Sequence, residues 1–125
     1  MITITTQEIA KYRSELAEYE AALTALDAIE DCEGNVEDAA ISLAIKVGQQ
    51  PGVSDWLDSL TKRYRVIICQ YQADLLNGKL AGLVGYLITE NVCPDVLAAP
   101  IVIYAVKLGI EDFCAPLGYK LNGTK

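Results

Sequence analysis

From Ile9 onward, apolar residues return at alternating intervals of three and four: Ile9, Tyr12, Leu16, Tyr19, Leu23 and Leu26. Such spacing holds one stripe on one side of an α-helix, and over nearly three heptads it has the form of a coiled-coil seam. Thr5 and Glu8 stand in a capping-box relation, Thr6 is a second candidate cap, and Gly34 is a plausible stop. The pattern predicts one helix from about Gln7 to Asp31, a rod of roughly 35 to 40 Å at about 1.5 Å per residue.

The same spacing recurs at Leu57, Leu60, Tyr64, Ile67 and Tyr71, with Leu75 one turn later. Ser54 is placed to cap this second long helix and Asn77-Gly78 to end it. Between the two rods, Asn35 caps a short helix with Glu37 and Asp38 in its first turn, running to Gly48 before the turn "QQPG". Leu80 to Ile88 reads as a further helix. Gly78, Gly82 and Gly85 cost it about 1 kcal/mol each relative to alanine wherever they lie inside, so another backbone is expected close to that face.

The run "LAAPIVIYAVKLG", Leu97 to Gly109, is apolar on nearly every side. It is too short for a membrane span, which needs about 20 apolar residues, and it contains Lys107. "IVIYAV" has the β-branched content of a buried strand, but outside the N-terminal "ITIT" no other segment offers strand character to pair with it. A helix apolar all round belongs at the centre of a bundle. Pro100 either kinks that helix or opens a fresh one. A short last helix over Glu111–Ala115 is expected to stop at "APLG", with residues 1–5 and 120–125 loose. The fold class is therefore all-α, a bundle of five or six helices in a single domain over residues 1–125. "AIKVG" and "AVKLG", 61 residues apart, form a weak internal echo for which chance is the favoured explanation.

Composition agrees with a folded globule: 125 residues, 52% hydrophobic and 22% charged. The N-terminus has no basic segment followed by an apolar run, so a cytoplasmic location is expected. For the same reason Cys32, Cys69, Cys93 and Cys114 read as free, buried thiols, with Cys69 in the core near Ile67, Ile68 and Tyr71. Charge is uneven. Up to Asp58 there are twelve acidic and three basic residues, a net of minus nine; beyond it there are five acidic and seven basic, a net of plus two. An acidic chain repels phosphate backbones, and Lys62, Arg63 and Arg65 are too few for a nucleic-acid footprint.

The chain has no histidine, which removes histidine-based hydrolases, Glu-x-x-His di-iron sites, HExxH metalloproteases and histidine-ligated haem. "EDCEGNVED" is rich in carboxylates, yet an EF-hand counted from Asp31 misplaces its glycine and ends on Ser42 instead of glutamate. "GKLAGLVG" lacks the spacing of a phosphate-binding loop. Glu15 and Glu18 lie on one helix face outside the seam and read as solvated. No catalytic residue, cofactor or metal site is expected.

Function then has to be argued from surfaces. The leading expectation is a non-enzymatic protein–protein interaction module, self-associating as a homodimer through the seam Ile9, Tyr12, Leu16, Tyr19, Leu23 and Leu26. Whether that seam closes within one chain or between two is left open by the sequence. Lys62, Arg63 and Arg65 could flank it opposite Glu15, Glu18 and Glu20, pairing the two long helices. The alternative is a carrier or sensor holding an apolar small molecule in a pocket lined by Tyr64, Tyr71, Gly82, Gly85, Tyr86 and Tyr104.

Overall fold

The computed structural model describes residues 2–52 and 55–122, with side chains as far as Leu117. The described residues are helical apart from turns, loops and one isolated antiparallel bridge between Thr3 and Asn35. The helices are α1 (Thr6–Glu15), α2 (Glu20–Asp31), α3 (Val36–Lys46), α4 (Trp56–Arg63), α5 (Arg65–Gln70), α6 (Gln72–Leu76), α7 (Ala81–Thr89), α8 (Ala98–Leu108) and α9 (Ile110–Asn122), with a 3-10 turn at Asp95–Leu97 leading into α8.

The local signals act where the sequence places them. Thr5 accepts from the Glu8 N–H while Glu8 accepts from the Thr5 N–H, closing the capping box of α1. Asn35 accepts from the Asp38 N–H at the head of α3. Ser54 lies outside the described residues, and Asp55 holds the N-cap position of α4.

The first long rod is two helices. After α1 the chain turns at residues 16–19, where the Tyr19 N–H donates to the Leu16 carbonyl (2.9 Å) and Tyr19 itself is extended, so α2 folds back onto α1. The heptad pattern survives this break because a three-residue step from Leu16 to Tyr19 returns to the interior through a turn as well as through a helix. The second rod is likewise three short helices, interrupted at Tyr64 and Tyr71, each a cap shared by the helices on either side.

At the centre lies α8, packed on α2, α3, α4, α7 and α9, with every residue from Ala98 to Ala105 buried. Pro100 causes no kink. It occupies the third position of α8, in the first turn, where its missing N–H has no intrahelical partner to lose. Gly109, at φ +99°, ends the helix.

Two terminal expectations change. The chain start is tied down: the Ile4 N–H donates to the Gly34 carbonyl (3.0 Å), the Val36 N–H to the Ile2 carbonyl (3.1 Å), and the Ile2 N–H to Glu37 Oε1 (2.7 Å). Gly34 sits at φ +86°, and a Cβ there would run into the Ile4 carbonyl, so the strap depends on glycine. At the other end α9 does not stop at "APLG" but continues helically through Pro116 to Asn122. Pro116 is exposed, on a face where solvent can meet the carbonyl that its missing N–H leaves free. Residues 123–125, expected to be loose, lie outside the described residues.

The cysteine expectation is overturned for one pair. Cys69 on α5 and Cys114 on α9 form a disulfide, with Cα atoms 5.8 Å apart. Cys32 and Cys93 are free; burial pushes both thiols up, Cys93 to about 11. No helix among the described residues is long and apolar enough to cross a membrane.

Candidate functional site

Of the six seam residues, Ile9, Tyr12, Leu16 and Leu26 are buried within the single chain, and Tyr19 and Leu23 are partly buried against the same core. Leu16 and Leu26 have no exposed surface at all. Four of the six seam residues are thus packed inside the globule, and Tyr19 and Leu23 keep some exposed surface. The expected charge pairing between the long helices is also replaced. Arg13 bridges Asp27 (2.5 Å) and Glu30 (3.0 Å) across the α1–α2 corner, and Lys62 pairs with Asp58 (2.7 Å) on its own helix.

The six residues expected to line one apolar pocket are split among separate places. Gly85 is buried under the Tyr19 ring and hydroxyl, which press against it closely. The close approach expected at this glycine-rich helix is made by a side chain instead of a backbone. Tyr104 is buried in α8, its hydroxyl donating to Asp58 Oδ1 (3.0 Å). Burial, with that hydrogen bond, pushes the phenol well above its ordinary value. Tyr64 is half-buried at the α4–α5 junction. Only Tyr71, Gly82 and Tyr86 come together: Tyr71 lies 3.6 Å from the position of a Gly82 Cβ, and its ring is 6.1 Å from that of Tyr86.

Of those three, Gly82 lines a concave feature among the described residues. An open groove of about 630 Å³ runs between α1, α6 and the start of α7, lined by Lys11, Ser14, Glu15, Asp74, Asn77, Lys79 and the small residues Gly78, Ala81 and Gly82. Glu15, read from the sequence as solvated, is the organising side chain. Its carboxylate accepts from the Leu80 N–H and from the Ala81 N–H (2.8 Å), satisfying the otherwise unpaired donors at the head of α7. One wall is thus fixed to another by a residue 65 positions away. Among the described residues Lys79 enters no ion pair and Lys11 stands over the Tyr12 ring, 5.8 Å from its centre; Tyr86, 42% exposed, is reached from the Gly82 wall through Tyr71.

The carboxylates of this surface are Glu15, committed to backbone donors, and Asp74, and its other polar side chains are Lys11, Ser14, Asn77 and Lys79. Among the described residues no three acidic or cysteine side chains converge on a point that could hold a metal ion. Sequence reasoning missed Lys11, Lys79, Asp74 and Asn77 because they come from three elements with no shared motif. The one available signal was the turn "NGK", whose following N–H groups need an acceptor.

Comparison with protein families, with characterised proteins and with solved structures finds no match to this chain.

Proposed function

We propose that the chain is a non-enzymatic interaction module whose contact surface is the groove between α1, α6 and α7, with a second copy of the chain as its first candidate occupant. The observation that carries this reading is the groove itself: a preformed concavity, fixed by Glu15 and lined by Lys11 and Lys79, with the exposed Tyr86 next to Tyr71, which packs towards the groove residue Gly82. Tyrosine beside a charged rim is the composition that protein contacts favour. The acidic first half of the chain, net minus nine through Asp58, supplies complementary charge on a second copy. The seam adds little support to self-association, since four of its six residues are buried within one chain.

Sedimentation equilibrium tests the reading. A reversible dimer is expected, and Lys79→Glu combined with Tyr86→Ala should shift it to monomer without loss of helicity. A photo-crosslinking residue at position 86 should join the two copies, while one at the exposed Glu20 should not. A monomer at all concentrations, with no crosslink specific to position 86 in cell extract, overturns both the module and its surface.

A further inference from the structure

Among the described residues, α9 packs on α5, α6 and α8 and is tied to α5 by a disulfide. Among its described side chains, which end at Leu117, Ile110, Phe113 and Cys114 are buried. Phe113 lies beneath the Arg65 guanidinium, 4.9 Å from its carbon to the ring centre, and Cys114 is bonded to Cys69. Beyond them the helix contains Pro116 and Gly118, both poor helix formers, so it has little capacity to persist on its own. What α9 covers is apolar: it packs on α8, whose residues from Ala98 to Ala105 are buried, and on α5 and α6, whose buried residues are Ile68 and Leu75.

The two cysteines differ in exposure. Cys114 is 5% exposed, whereas Cys69 on α5 is only half-buried. An attacking thiolate needs access to the disulfide, and Cys69 is its more exposed residue. The two free cysteines are poor internal competitors, since burial raises both of their thiols.

We propose that Cys69–Cys114 is a thiol–disulfide exchange site for low-molecular-weight thiols, and that its reduction releases α9 as a unit while the remaining helices stay folded. A small-molecule thiolate attacks Cys69 Sγ, the Sγ–Sγ bond breaks, and its electron pair leaves on Cys114 Sγ, which takes a proton from water. A second small thiolate attacks the small-molecule sulfur of the mixed disulfide and expels the Cys69 thiolate, which is protonated in turn. The protein disulfide gains two electrons, and two small thiols become one small disulfide; the small disulfide reverses the sequence. Release uncovers the faces of α5 and α6 that carry Ile68 and Leu75. The inference rests on the α9 attachments and is independent of the groove.

The experiment is hydrogen exchange with peptide-resolved mass spectrometry on wild-type protein, equilibrated in oxidised or in reduced glutathione, with the disulfide mapped by alkylation in each sample. Reduction should raise exchange at least tenfold in α9 and in the α5–α6 peptides, leave α2 and α3 unchanged, and be reversed by oxidised glutathione. Cys69→Ser should give the released pattern in either buffer. Unchanged α9 exchange after confirmed reduction would overturn the proposal, as would loss of protection throughout the chain. Failure of Cys69 and Cys114 to pair in oxidised glutathione would overturn it at the first step.

Discussion

Gly85 leaves no room for one more carbon. Alanine there gains about 1 kcal/mol of helix propensity but drives its methyl into the Tyr19 ring and hydroxyl, and overpacking of this kind costs about 1 to 3 kcal/mol. Gly85→Ala should therefore lower stability in wild type and raise it in a Tyr19→Ala background, a reversal of sign readable from urea midpoints in a double-mutant cycle. Two carboxylates set the acid response. Glu8 is held below the usual glutamate range chiefly by its hydrogen bond from Lys107 (2.8 Å), against the opposing effect of partial burial. Asp58 is held below the aspartate range first by Lys62, again against partial burial, with Tyr104 assisting. Groups whose folded values are depressed stabilise fully above their unfolded values and lose that contribution as pH falls through the folded ones. The urea midpoint should hold steady down to about pH 5 and decline below about pH 4. Replacing Lys107 by Met and Tyr104 by Phe should flatten that decline.

At the scale of elements, caps and stops were legible in the sequence because each depends on a few adjacent residues: Thr5 with Glu8, Asn35, Gly109. So was the buried character of α8, which follows from apolar residues on every face. The corner at residues 16–19 was not legible, since "LAEY" contains neither glycine nor proline and keeps the three-four spacing. The interruptions at Tyr64 and Tyr71 were hidden for the same reason. Glu15 on the head of α7 and Cys69 on Cys114 were illegible because they are products of tertiary closure, 65 and 45 residues apart. The corner has a testable consequence for Leu16. Lysine at a site with no exposed surface strands a charge, at a cost of about 4 kcal/mol or more. Leu16→Lys should lose its helical circular dichroism at 25 °C; a folded monomer instead would place Leu16 outside the core.

Across the whole molecule, stability is concentrated on α8, which touches most of the other helices. Truncating Ile103, fully buried there, should cost about 2 to 5 kcal/mol as Ile103→Ala. Val66, 58% exposed on α5, should change stability by no more than about 0.5 kcal/mol as Val66→Ala. Thermal melts of the two variants compare them directly, and equal losses would show that the centre lies elsewhere.

The place of α8 in the chain also orders events in time. A ribosome delivers residues from the N-terminus, and the helix that the others surround arrives only with residues 98–108. Until then α1, α2 and α3 can pack on one another, but α4 and α7 lack their main contact surface, and α5 and α6, six and five residues long, are too short to persist alone. The nascent chain therefore keeps the faces meant for α8 uncovered until that helix emerges, so completion of the core is a late event. In this interval the chain is most exposed to aggregation, and most dependent on whatever shields it.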